Sequence, residues 1–133
     1  MTTWMVVEDE PGLYDMVLTM YSLMGVHGVA FTTGEDALDW IDAVDTGQFA
    51  DEIPELVMLD IRLPGQVNGV AVGERMRRSP ILKNTRIVMM TAYRLAPKDE
   101  AKIKEAIRPE ALLEKPLPEF EQLKRQLFEI AKQ

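Results

Sequence analysis

The feature that most constrains the fold is a set of short apolar runs, each stopping abruptly at polar residues. Trp4-Met5-Val6-Val7 ends in Glu8-Asp9-Glu10, Leu56-Val57-Met58-Leu59 in Asp60, Ile87-Val88-Met89-Met90 in Thr91, and Ala111-Leu112-Leu113 in Glu114-Lys115. Such brief runs, with no alternation of polar and apolar residues, suit strands buried on both faces. Val26 to Thr32 reads as a further strand, closed by Thr33-Gly34. Between the strands the apolar residues recur at helical spacing. Pro11-Gly12 opens a helix that runs to about Met24 and stops at Gly25. Ala37, Trp40, Ile41 and Val44 mark a second helix over 35–45, and Gly69 to Arg78 forms a third, broken by Pro80. Pro97 to Ile107 has only a modest apolar face, whereas Phe120, Leu123, Leu127, Ile130 and Ala131 make a full stripe. Thr46 to Glu55, with Gly47 and Pro54, reads as a loop, as does Ile61 to Asn68.

Strands alternating with helices predict an α/β fold: a parallel sheet, helices on both faces, right-handed crossovers. A chain of 133 residues has the size of one domain, so a single domain over 1–133 is expected. The net charge of −7 argues against a nucleic-acid-binding surface, which needs a basic face. Without cysteine there is neither a disulfide nor a thiolate metal site. No apolar run is long enough to span a bilayer, and Met1-Thr2-Thr3-Trp4 lacks the basic end and apolar stretch of a signal peptide. The expectation is a soluble cytoplasmic protein without a membrane partner.

In doubly wound sheets ligands bind beyond the carboxyl ends of the strands. Glu8, Asp9, Asp60, Thr91 and Lys115 all fall there. Carboxylates converging on one rim repel one another unless a cation sits among them, and magnesium suits oxygen ligands of this kind. Asp9 and Asp60 are the expected direct ligands, with the main-chain carbonyl of Arg62 as a third oxygen and the longer Glu8 acting through a bound water. An aspartate flanked by magnesium, an ammonium and a hydroxyl is arranged to attack phosphorus, because the transferring phosphoryl group spreads charge over its oxygens. Asp60 is then the nucleophile, with Lys115 and the Thr91 hydroxyl each serving a phosphoryl oxygen.

The segments Val6-Val7-Glu8-Asp9-Glu10, Leu59-Asp60-Ile61-Arg62-Leu63-Pro64-Gly65, Met90-Thr91-Ala92 and Glu114-Lys115-Pro116 resemble the four signature segments of response-regulator receiver domains. They occur in the family's order and the likeness covers essentially the whole chain. The resemblance implies a flavodoxin-like (βα)5 fold with strand order 2-1-3-4-5. It also implies magnesium-dependent phosphotransfer from a histidine kinase or phosphotransfer protein, and signalling through helix four, strand five and helix five. Asp60 corresponds to the phosphoacceptor, Glu8 and Asp9 to the acidic pair, Thr91 to the switch hydroxyl and Lys115 to the phosphate-binding lysine. Arg62 and Tyr93 stand where receiver side chains border the approach of hydrolytic water, and their bulk implies slow phosphate loss. There are three departures. Leu112 replaces the usual aromatic switch residue, the Asp60–Gly69 loop is one residue longer than the commonest form, and the Thr46–Glu55 connection is also long.

Other polar residues have plainer readings. His27, the only histidine, has no partner for a metal site or a catalytic dyad. Arg75, Arg77 and Arg78 read as a solvated helix end, with a docking patch as the alternative. The first helix is apolar on more sides than one core stripe needs, so part of it should face outward as a kinase-docking surface, with Tyr14, Leu18 or Tyr21 as candidates. Two competing functions are weaker. A pseudo-receiver that is never phosphorylated has no need of Asp60, Lys115 and the acidic pair. A haloacid-dehalogenase-type phosphatase carries its nucleophile after the first strand with a second Asp two residues on, whereas here position 62 is Arg. The chain is thus expected to catalyse only its own phosphorylation and dephosphorylation. Output would be contact with an unnamed protein or phosphate relay; whether phosphorylation drives a homodimer is open from sequence.

Overall fold

The first strand, β1 (Thr3–Val7), is buried at every residue, which requires a neighbour on each edge and a layer on each face. The structure, a computed structural model, describes residues 2–133; Met1, the first residue of the expected 1–133 domain, lies outside the described residues. β1 pairs in parallel with β2 (His27–Phe31) on one edge and β3 (Leu56–Asp60) on the other. β3 pairs with β4 (Arg86–Thr91), and β4 with β5 (Ala111–Glu114), again in parallel. The sheet order is 2-1-3-4-5, the doubly wound, flavodoxin-like arrangement expected from the sequence. Four helices connect the strands, α1 (Pro11–Leu23), α2 (Gly34–Asp45), α3 (Gly69–Arg78) and α4 (Pro97–Ala106), and α5 (Phe120–Ala131) follows β5.

Successive strand side chains point to opposite faces, and each face has its own core. Met5, Val7, Val57, Leu59, Ile87 and Met89 pack under α2, α3 and α4. Trp4, Val6, Leu56, Met58, Val88 and Met90 pack under α1 and α5. This is why the strands read as unbroken apolar runs. α4 is the most lightly held helix: Ile103 is its one fully buried residue, helped by Ile107 just beyond its end.

Local chemistry sets the helix starts. The Glu10 carboxylate accepts the N–H groups of Gly12 and Leu13 at 3.0 and 2.7 Å, capping α1. Thr33 caps α2 and Asn68 caps α3 in the same way. The connection expected as a plain loop over 46–55 contains a 3-10 turn at Ala50–Glu52, entered through Phe49 in a left-handed conformation. The Phe49 ring lies 6.3 Å from that of Trp40, a contact that local sequence does not announce.

The reading of Arg75, Arg77 and Arg78 as one solvated helix end is corrected. Arg75 bridges Asp42 and Asp45 on α2 at 3.0 and 2.6 Å, and Asp45 also accepts the buried Ser79 hydroxyl. The side chain of Arg77 is 8% exposed. It donates to the carbonyls of Lys83, Thr85, Ile107 and Arg108 and to the Glu110 carboxylate, tying two loops to the end of α3. Only Arg78 is exposed.

Gly69 sets the position of Asp60. Its N–H donates to the Ile61 carbonyl at 2.8 Å, bringing the start of α3 against the end of β3. A Cβ at Gly69 would meet the Asp60 carbonyl oxygen well inside van der Waals contact. Gly69→Ala is therefore expected to lower stability by about 1–3 kcal/mol and to shift the amide resonances of residues 60–62. Urea unfolding and NMR check this; a loss under ~0.5 kcal/mol with unmoved resonances would contradict it.

Candidate functional site

The sheet brings side chains from four strand ends to one rim. Glu8 leaves the end of β1, Asp60 ends β3, Thr91 ends β4 and Lys115 follows β5. Glu8, Asp60 and Thr91 are 0%, 4% and 3% exposed, whereas Asp9 faces solvent. Glu8, Asp9 and Asp60 each offer a carboxylate oxygen, all within 4.8 Å of one another. Lys115 Nζ donates to Glu8 Oε1 at 2.8 Å and to Asp60 Oδ2 at 3.3 Å. The other Glu8 oxygen accepts the Glu10 N–H at 3.0 Å, and Asp60 Oδ1 accepts the Arg62 N–H at 3.3 Å. The three consecutive acids thus have separate roles: Glu8 turns inward, Asp9 edges the rim and Glu10 caps a helix.

Electrostatics follow from this crowding. Burial raises the Asp60 pKa, the Glu8 charge raises it further, and Lys115 only partly offsets both, leaving it at about 6. Burial works against the Lys115 ammonium, but the Glu8 hydrogen bond and the charges of Asp60 and Glu8 outweigh it and hold its pKa above the ordinary lysine value. A lysine that stays charged beside a crowded pair of acids is itself a cation-for-carboxylate arrangement. The acids exceed the ammonium in charge, and Asp9 still faces solvent, so the oxygen-only donor set suits a hard divalent ion such as magnesium.

The Thr91 hydroxyl is bonded to the Tyr93 backbone in this structure. It donates to the Tyr93 carbonyl at 2.6 Å and accepts the Tyr93 N–H at 3.1 Å. The Tyr93 ring, 60% exposed, lies under the Arg62 guanidinium at 4.7 Å, a cation–π contact. Arg62 and Tyr93 therefore meet across the mouth of the site. Sequence spacing places both near it, but a contact between residues so far apart in the chain has no local signal. Leu112 is half-buried beside a cavity of about 150 Å3 that it shares with Thr91, Leu95 and Glu114.

The first helix is only partly as expected. Tyr21 is fully buried, its hydroxyl donating to the Met5 carbonyl at 2.8 Å and its ring edge-on to Trp4 at 5.5 Å. Tyr14 and Leu18 are half-buried. The outward residues are Met16 and Leu23, 45% and 71% exposed. With Leu117, Pro118 and Phe120 they line a largely apolar groove between α1 and the start of α5. The clue was the period: Met16 and Leu23 are seven residues apart, two turns on one face. His27 lies at the opposite end of the sheet, 3.6 Å from Glu52. No described helix is long and apolar enough to cross a membrane.

The sequence matches the response regulator receiver domain family over residues 4–127. The regulatory protein AtoC of Escherichia coli (strain K12) is 30% identical over 89 residues, which cover 67% of this chain and 17% of that protein. The chain therefore spans only a small part of this relative. Among solved structures, a CheY-like receiver domain protein from Methanospirillum hungatei JF-1 superposes with a TM-score of 0.80 and 18% identity, over 99% of this chain and 94% of that one. The receiver domain of a sensor histidine kinase from Pseudomonas aeruginosa PAO1, with a magnesium ion in its active-site cleft, gives 0.78 at 20% identity, covering 99% and 98%. The structural likenesses bear on the fold, and the family match on descent. With its four signature segments converging on one rim, this chain belongs to the response regulator receiver domains of two-component systems.

Proposed function

We propose that this receiver domain accepts a phosphoryl group on Asp60 from a histidine kinase or phosphotransfer protein, in a magnesium-dependent reaction. The observation that carries the reading is a buried Asp60 carboxylate in contact with Lys115 and crowded by Glu8 and Asp9. In the reaction an Asp60 carboxylate oxygen bonds to phosphorus as the phosphorus–nitrogen bond of the donor phosphohistidine breaks. The electron pair leaves with the imidazole, and the product is an acyl phosphate. Lys115 neutralises one phosphoryl oxygen, which requires it to loosen its hold on Asp60 while Glu8 keeps it in place. Thr91 serves another once its hydroxyl leaves the Tyr93 carbonyl. Asp9, Asp60 and the Arg62 main-chain carbonyl would hold magnesium directly and Glu8 through a water, the ion supplying positive charge to the phosphoryl oxygens.

Two further parts of the reading have structural support. The kinase's helical bundle would dock on the apolar groove between α1 and α5, where Met16 and Leu23 are exposed. Output would pass through α4, β5 and α5 to a protein target or a phosphorelay partner, and the light attachment of α4 suits it to move. The Arg62–Tyr93 contact narrows the approach of water and favours slow loss of phosphate.

Acetyl phosphate with magnesium is expected to add one phosphoryl group to the wild type and none to Asp60→Asn, as read by intact mass; equal labelling of both would contradict the assignment. Leu23→Glu is expected to slow transfer from the cognate kinase about tenfold or more while acetyl phosphate labelling persists. Loss of both, or of neither, would count against the groove.

Ionisation of Asp60 gives a test that needs no phosphodonor. Its folded pKa of about 6 exceeds the ~4 of an unfolded aspartate. The group therefore contributes stability that is present below about pH 4 and lost as pH rises through about 6. In EDTA, Asp60→Asn should be the more stable protein at pH 8, by on the order of 1–3 kcal/mol, with the gain vanishing near pH 4. Denaturant unfolding at the two pH values checks this; no gain at pH 8 would contradict a desolvated, charge-crowded carboxylate.

A further inference from the structure

At the end of the sheet opposite Asp60, one recess has a lining in which cations outnumber acids. Arg86 opens β4 and Thr91 closes it, so the two ends lie roughly 17 Å apart along the strand. At the Arg86 end a recess of about 600 Å3 is lined by Arg77, Lys83, Asn84, Arg86, Arg108 and Glu110, with Gln133 at its edge. Arg77 is already spent on four carbonyls and on Glu110. Glu110, the one acidic side chain among these residues, is spent too, since its Oε1 accepts from both Arg77 and the Ile87 N–H. Among the described residues, no ion pair holds Lys83, Arg86 or Arg108.

Three unpaired cations around one concavity stand out on a chain of net charge −7. Their convergence is built by the backbone. The Arg77 fork draws together the 83–85 and 107–108 loops through their carbonyl oxygens, and Arg108 is held in a left-handed conformation at φ 53°. Arg108 directly follows the C-cap of α4, where a left-handed residue commonly ends a helix, and this turn fixes where its side chain leaves the loop. Burial and the nearby Arg108 both disfavour the Arg77 charge, with Glu110 opposing them. An incoming anion would relieve that repulsion as well as pair the three free cations.

We propose that the recess formed by Lys83, Asn84, Arg86 and Arg108 binds a small phosphate-bearing anion with two or more negative charges. The class follows from charge and geometry. A single carboxylate would leave two cations unpaired, whereas a phosphate ester brings up to about two charges and a diphosphate more. Guanidinium forks match phosphoryl oxygens bidentately, the lysine adds a point charge, and the Asn84 amide supplies a neutral donor. This site does not depend on the chemistry proposed for Asp60 and stands or falls separately.

The test is a titration of the isotope-labelled chain with inorganic pyrophosphate, in EDTA so that no magnesium is present at the Asp60 rim, followed by amide NMR. Saturable shifts are expected at Lys83, Asn84 and Arg108. Affinity should fall about tenfold in Arg86→Gln and again in Arg108→Asn. Asparagine tolerates the left-handed backbone, so the second variant probes charge without strain, and it carries the test alone should Arg86→Gln unfold. ADP as a second probe tells whether the diphosphate group alone is read (equal affinity) or a nucleoside as well (tighter binding); either supports the site. Shifts confined to residues 60–62 and 115, affinity unchanged in both variants, or succinate binding as tightly as pyrophosphate would overturn the proposal.

Discussion

The contact on which the site depends is the ammonium of Lys115 lying between the carboxylates of Glu8 and Asp60. Two buried acids side by side are unfavourable, and removing their cation would leave both without compensation. Glu8 and Lys115 are 107 positions apart in sequence, just past β1 and just past β5, with β3 and β4 between them. Their pairing can form only when the sheet is assembled in its 2-1-3-4-5 order, so the charged centre and the fold specify one another. The two apolar layers supply the burial that makes the charges interact strongly, and the lysine makes that burial tolerable. A site held this way is stable yet poised: another cation or a phosphoryl group can take over part of what Lys115 neutralises.

The strands and the rim were legible because they rest on local signals. A strand buried on both faces has no polar alternation to blur it, and the acid, threonine or lysine that ends it then stands out. What was not legible depends on pairings between distant segments. Arg77 looks like a surface residue until the carbonyls of Lys83, Thr85, Ile107 and Arg108 are seen to converge on it. The apolar excess of α1 was plain, but its division was not. Tyr21 goes inward because the Met5 carbonyl can accept its hydroxyl, and Leu23 is left outside. The turn at Ala50–Glu52 likewise carries no clear local motif, its entry through Phe49 being supported by the Trp40 ring.

Leu112 is the clearest departure from the family pattern, and the structure gives it a physical context. The space beside it is a small cavity bordering Thr91 and α4, so the threonine has room on that side without an aromatic ring to displace. In this structure Thr91 is bonded instead to the Tyr93 backbone, and the Tyr93 ring is covered by Arg62, whose N–H touches Asp60. Thr91, Tyr93, Arg62 and Asp60 thus form a continuous path from the carboxylate to the loop entering α4, the helix with the fewest buried residues. Movement of the threonine hydroxyl toward Asp60 would act directly on that loop. At the far end of the sheet the recess lined by Lys83, Arg86 and Arg108 presents cations, well separated from the acidic rim.

The central claim is that one carboxylate among three neighbours, Asp60, forms the acyl phosphate. Borohydride reduction of the acetyl phosphate-treated protein, followed by peptide sequencing in a mass spectrometer, addresses it directly, because an aspartyl phosphate is reduced to homoserine while free aspartate is not. Homoserine at position 60, with Glu8 and Asp9 intact, is the predicted result. Reduction at Asp9 or Glu8, or no reduced residue in protein that has gained phosphoryl mass, would contradict the account.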